Sequence, residues 1–199
     1  GKREDQQDDF GFWADTERKA CTKLLAVACD GMGGLRMGRE AAQVAVHSFI
    51  ESFLREGGRP AGESLLEAVR SANAAVFDMA SRSGCEGHAG TTLVAVLVDG
   101  GALSWVSVGD SHIYLYRGGL LRLLNREHNL GARLERLVEG GRLSREEADA
   151  YGQREALTSF IGIEELEEID ASEEAVPLQD GDCLLLCTDG LYRSLSDAE

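Results

Sequence analysis

Residues 91–124, TTLVAVLVDGGALSWVSVGDSHIYLYRGGLLRLL, decide the fold. From Thr91 the apolar residues fall at the period of strands. Residues 93–98 read as a strand, Asp99-Gly100 as a hairpin turn, and residues 102–108 as the return strand. Residues 113–117 and 120–124 flank Gly118-Gly119, a second two-residue hairpin signal. Trp105 alternates with Leu103 along its strand, which predicts a core position rather than a binding platform. Two hairpins in succession mean antiparallel sheet.

Upstream, residues 24–29 form a short apolar run that stops at Asp30-Gly31. This predicts a buried strand delivering an aspartate to a turn. Residues 39–55 then carry Ala42, Val46, Phe49, Ile50, Phe53 and Leu54 at helical spacing, and Gly57, Gly58 and Pro60 end the helix. A second amphipathic helix follows, with Leu65, Leu66, Val69, Ala72, Val76, Phe77 and Ala80 on one face. Downstream, residues 132–139 read as a helix stopped by Gly140-Gly141, and Ser144 with Glu147 forms a capping box. Residues 182–187 predict a last buried strand, which also ends in Asp-Gly, at Asp189-Gly190. Paired helices followed by antiparallel hairpins indicate an α+β domain rather than a βαβ nucleotide fold. The expected architecture is a layered α-β-β-α sandwich, two antiparallel sheets packed together with helices outside. No repeat or linker divides the chain, so residues 1–199 are expected to be one domain.

The 199 residues suffice to bury roughly 70% of the unfolded surface, so the core needs neither disulfides nor a structural metal. A hydrophobic content of 43% excludes a disordered chain. The formal charge of −15 argues against nucleic acid and anionic membrane as partners, since both demand Lys/Arg surfaces. Excess acid suits divalent cations or basic partners, and equally plain solubility. The five cysteines form no C-x-x-C pair, which fits reduced cytoplasmic thiols; a monomer is expected. Cys29, Cys183 and Cys187 lie in apolar runs and are expected to act as small hydrophobes. No apolar stretch approaches the roughly 20 residues of a membrane span. His47, His88, His112 and His128 lack metal-ligand spacing, so packing or surface roles are expected. Residues 164–168 read as a solvated acidic loop.

Two apolar strands therefore run into Asp-Gly. A carboxylate just past a buried strand is held rigidly, and the glycine lets backbone approach a ligand. If Asp30 and Asp189 converge, they repel unless a cation lies between them, and hard oxygen ligands suit Mg²⁺ or Mn²⁺ over zinc. No arginine or lysine is placed where it could obviously serve both. Taken singly, each Asp-Gly is more often an ordinary turn.

The wider context resembles one family. Ala28-Cys29-Asp30-Gly31-Met32-Gly33-Gly34, with Gly38 and Glu40 beyond, is similar to the glycine-rich metal motif of the protein phosphatase 2C family. Arg3, Gln6, Gln7 and Asp8 resemble its N-terminal Arg-x-x-Asn-Glu-Asp element. Gly90-Thr91-Thr92-Leu93 and Val108-Gly109-Asp110-Ser111 with Tyr114 resemble its Gly-Thr-Thr strand and Gly-Asp-Ser hairpin. Gly141 through Glu147, with Arg154, Leu157-Thr158 and Gly162, resemble its flap and following strand. Gly181-Asp182 and residues 185–191 resemble its second metal-aspartate motif.

The resemblance implies metal-dependent hydrolysis of phosphoserine and phosphothreonine on proteins, the phosphates having been placed by a Ser/Thr kinase. It implies that Asp30 bridges two Mg²⁺ or Mn²⁺ ions, that the Gly31 carbonyl binds one, that Asp189 binds the other, and that Asp8 acts through bound waters. A metal-bridging hydroxide would attack phosphorus in line, between ions roughly 3.5–4 Å apart. Arg3 would clamp the phosphate, because a guanidinium fork matches its oxygens. Asp110 could contribute to a third ion.

The chain departs from the family pattern in places. It is expected to lack the family's C-terminal Asp-Asn motif and closing strands. Leu35 stands where many bacterial members have histidine, Arg193 where some carry an acidic residue, and Gln6-Gln7 where Asn-Glu is usual. These departures keep a second reading open, a catalytically impaired phosphatase fold serving as a binding or regulatory module. A Gly-Asp-Ser esterase reading lacks the late Asp-x-x-His it needs, and no Gly-Lys-[Ser/Thr] follows Gly31 to make a phosphate-binding loop.

Overall fold

The computed structural model describes residues 6–16, 22–33, 35–55 and 59–194, apart from the side chains of Leu35 and Arg36. In chain order the elements are β1 (Asp8–Ala14), β2 (Lys23–Met32), α1 (Leu35–Arg55), α2 (Ala61–Arg82), β3 (Gly90–Thr91), β4 (Leu93–Asp99), β5 (Ala102–Val108) and β6 (His112–Arg117). Then follow β7 (Leu120–Leu123), α3 (Leu130–Glu139), α4 (Arg145–Asp149), β8 (Asp170–Ala171), β9 (Val176–Pro177), β10 (Cys183–Cys187) and α5 (Asp189–Tyr192).

Among the described residues the strands form two antiparallel sheets. One runs β1-β2-β4-β5-β8, with β3 paired to β2 and β9 to β5, and the other runs β10-β6-β7. The α+β class read from the sequence is the one observed. Alternation along β2 explains how one strand serves two cores. Leu25, Val27 and Cys29 face the α1–α2 layer, packed with Ala42, Phe49, Leu65 and Val69. Ala26 and Ala28 face the other way, toward Val94, Val96, Trp105, Ile113, Leu184 and Leu186. This second cluster brings both sheets together.

The hairpin turns follow the twist rule. Gly100 and Gly101 have φ of 57° and 82°, and Gly118 and Gly119 have 58° and 85°, the left-handed pair that a primed two-residue turn demands. The first turn is centred one residue later than expected, because Asp99 still pairs with Ala102. The capping box forms as read, Ser144 Oγ accepting from Glu147 N while Glu147 accepts from Ser144 N.

Three local expectations change. Asp30 and Gly31 lie within β2 instead of in a turn beyond it, because partners exist on both sides. Asp30 pairs with Asp8 of β1 and Gly31 with Thr91 of β3. Asp189-Gly190 opens α5 rather than forming a free turn. The last strand, β10, alternates exposed and half-buried residues before Cys187, because among the described residues it pairs with β6 alone; Cys183 is accordingly exposed. Register then does the positioning. Asp30 continues the face of Ala26 and Ala28, and Asp8 stands opposite it. Asp110 follows β5 and Asp189 follows β10, so all four aspartates lie near strand ends where the sheets meet.

Candidate functional site

A cleft of about 340 Å³ is lined by Asp30, Gly31, Asp110, Glu155, Asp189 and Arg193, among others. Next to it, a second hollow of about 360 Å³ is lined by Gln6, Asp8, Thr188 and Asp189. Asp189 thus belongs to both, and Asp30 shares the first with it. Aspartates carried at the strand ends of both sheets thus line one cleft. Arg3 lies outside the described residues.

Asp30 and Gly31 are held through their main chain, and Asp8 through its side chain. Asp30 N donates to Thr92 Oγ1 at 3.0 Å, and Asp30 O accepts from Thr91 Oγ1 and Thr92 N, each at 2.9 Å. Gly31 N donates to Gln7 O at 3.3 Å, tying the start of β1 to the metal-motif strand. A side chain at Gly31 is impossible without movement, since a Cβ would lie 2.0 Å from Gly38 O of α1. Asp8 Oδ2 accepts from Gln6 Nε2 at 2.7 Å and from Thr188 Oγ1 at 3.4 Å.

Asp110 is buried and follows Gly109, whose φ of 99° turns the chain out of β5. Burial and then the Asp189 charge push its pKa above the usual carboxylate range, with Arg193 opposing them. Its carbonyl accepts from the Tyr192 hydroxyl at 3.1 Å. Arg193 brings a basic residue into the cleft that the sequence reading does not place there. Its guanidinium lies 3.5 Å from Asp110 Oδ2, 3.4 Å from Asp189 Oδ2 and 2.8 Å from Glu155 Oε2. It does not serve Asp30 and Asp189 together in those contacts, but it meets two aspartates of the cleft. The missed signal was the i,i+4 spacing from Asp189; Glu155 offered none, being 38 positions away in sequence.

Behind Asp110, His112 stacks on Tyr192 with ring centroids 3.9 Å apart. Its Nε2 lies 2.6 Å from Glu127 Oε1 and its Nδ1 lies 2.9 Å from the Tyr114 hydroxyl. That bond to His112 holds Glu127 below the ordinary glutamate range. His128 Nδ1 accepts from Gly109 N at 3.1 Å, which requires an unprotonated Nδ1. Burial lowers its pKa as well. The native state therefore binds fewer protons there than the unfolded chain, and stability falls as pH drops below about 6.5. Urea titrations at pH 7 and pH 5 should show a smaller acid loss for His128→Gln than for the wild type. An equal loss would remove His128 from this role.

Among the described residues no cysteine lines the cleft. Burial, then the Asp9 charge, push the Cys29 thiol far up, and burial raises Cys187. The expected pair of cations has a fitting donor set in Asp30, Asp189, Asp110 and the backbone at Gly31, all hard oxygen. Among the described residues no three Asp, Glu, His or Cys side chains are gathered tightly enough to hold an ion by themselves. An ion here would need backbone carbonyl and water, which is the habit of Mg²⁺. Among the described residues no helix is long and apolar enough to cross a membrane.

Comparison with known proteins points to one family. A sequence model described as protein phosphatase 2C matches residues 2–199. The serine/threonine protein phosphatase PstP of Mycobacterium tuberculosis is 34% identical over 178 residues, covering 89% of this chain but 33% of that protein. The Streptococcus agalactiae serine/threonine phosphatase structure superposes with a TM-score of 0.81 at 30% identity, covering 100% of this chain and 79% of that one. The catalytic domain of PstP, solved in complex with two manganese ions, gives a TM-score of 0.69 at 28% identity, covering 96% and 81%.

Proposed function

The chain belongs to the protein phosphatase 2C family, and on that premise we propose that it hydrolyses phosphoserine and phosphothreonine on proteins with divalent cations held at Asp30 and Asp189. The observation that carries the proposal is the shared cleft, in which aspartates from the ends of β2 and β10 face one space. A phosphomonoester dianion approaching an aspartate-lined cleft on a protein of charge −15 is repelled. Two Mg²⁺ or Mn²⁺ ions would supply the missing positive charge and acidify water for in-line attack.

The chain's own residues then have distinct tasks. Asp30, the Gly31 carbonyl and Asp189 would hold the ions, with Asp30 as the ligand the two ions would share. Asp8 faces the adjoining hollow and acts through water. Asp110 is available to a third ion. Arg3 is assigned to the phosphate. No described thiol is assigned a part: none lines the cleft, and Cys29 is buried with its proton held. The substrates are phosphoproteins made by a Ser/Thr kinase. A second reading, an impaired phosphatase fold used as a regulatory module, draws on Arg193, which already pairs with two cleft aspartates.

The test is turnover of a phosphothreonine peptide by the full chain with Mn²⁺ or Mg²⁺. Hydrolysis should stop with EDTA, return with added Mn²⁺, and survive thiol alkylation. Activity persisting after exhaustive chelation would overturn the metal reading, and absence of turnover with intact Mn²⁺ binding would favour the regulatory module.

A further inference from the structure

We propose that Arg193 is a built-in cation of the cleft that competes with a divalent ion for Asp110 and Asp189, and so sets how many ions the site holds and how tightly. The inference rests on the metal reading above and concerns the Asp110 side of the cleft. A carboxylate as buried as Asp110, beside a second carboxylate, requires a proton or a positive partner. The partner present is a guanidinium from the same chain, four residues beyond Asp189.

The distances show how it is poised. The contacts on the cleft side are long, 3.5 Å to Asp110 and 3.4 Å to Asp189, whereas the contact at the rim, to Glu155, is 2.8 Å. The Glu155 side chain is 77% exposed and that of Arg193 is 41% exposed, while that of Asp110 is 11% exposed. Arg193 therefore has solvent to move into and a carboxylate outside to follow, while Asp110 has neither. A divalent ion arriving at Asp110 and Asp189 would displace a guanidinium whose contacts with those two carboxylates are long and that keeps its rim partner. Glu155 lies after α4, so displacement would also change what ties that segment to the cleft.

Calorimetric titration of the metal-free full chain with Mn²⁺ tests this. Arg193→Gln should tighten the weakest Mn²⁺ binding event about tenfold, within the usual span of coupling between competing ligands, or add one ion per chain. Arg193→Lys keeps the charge but not the planar fork, and should tighten it about threefold. Adding Asp110→Asn to Arg193→Gln should abolish the gain. If Arg193→Gln does not fold without ions, the lysine variant carries the test alone. Wild-type affinity and stoichiometry in both variants would overturn the inference while leaving the functional proposal standing. A gain that survives Asp110→Asn would also overturn it, as a charge effect not routed through that carboxylate. No Mn²⁺ binding by any form would overturn the functional proposal, and this inference with it.

Discussion

Asp30→Asn should lower phosphothreonine-peptide turnover roughly 10³-fold, the scale on which removal of a charged group at a reacting centre acts. It should also weaken Mn²⁺ binding more than Asp8→Asn does. Asp30 lines the cleft shared with Asp189, whereas Asp8 lines the neighbouring hollow and already accepts from Gln6 and Thr188. The fold should survive, because β2 is held there by backbone bonds and by Thr91 and Thr92, which contact the Asp30 main chain. Circular dichroism unchanged beside lost turnover is the expected pair of results. A fully active Asp30→Asn protein, or one with unaltered Mn²⁺ affinity, would contradict the assignment.

Gly31→Ala should produce a large loss of stability for a single added methyl group. The new Cβ would lie 2.0 Å from Gly38 O, 2.4 Å from Gly38 C and 2.8 Å from Gln7 O. All three are backbone atoms, so relief requires shifting α1 or β1 rather than rotating a side chain. Overpacking of this kind costs about 3 kcal/mol or more, which for a chain of this length lowers Tm by roughly 6–12 °C. Gly62→Ala, in α2 with open space around it, is the control. It should be neutral or slightly stabilising, since alanine favours helix by up to about 1 kcal/mol. Equal melting temperatures for Gly31→Ala and wild type would refute the close packing of β2 on α1.

The parts of this molecule legible in its sequence are those with a local period. The β4–β5 hairpin, α1, α2 and the Ser144 capping box each announce themselves within a few residues, through alternation, helical spacing or a cap. The end of β2 did not. Whether Asp30 sits in a turn or a ladder depends on β1 and β3, which approach from elsewhere in the chain. Strands β8 and β9, two residues each, have no period at all and form by pairing with the open edge of β5. The exposure of β10 likewise follows from its pairing, among the described residues, with β6 alone, while its composition is that of a buried strand. At the site, the Asp-Gly segments and Asp110 stood out as sequence signals. Of the Arg193 contacts only the one to Asp189 had a sequence signal, its i,i+4 spacing; those to Asp110 and Glu155 join segments distant in the chain.

The most direct measurement is the manganese anomalous scattering of crystals of the full chain grown with Mn²⁺, alongside peptide turnover by the same preparation. The account predicts metal peaks between Asp30 and Asp189, with the Gly31 carbonyl beside them, in a preparation whose turnover stops with EDTA. Active protein whose manganese lies away from both aspartates, or that carries none, would contradict it.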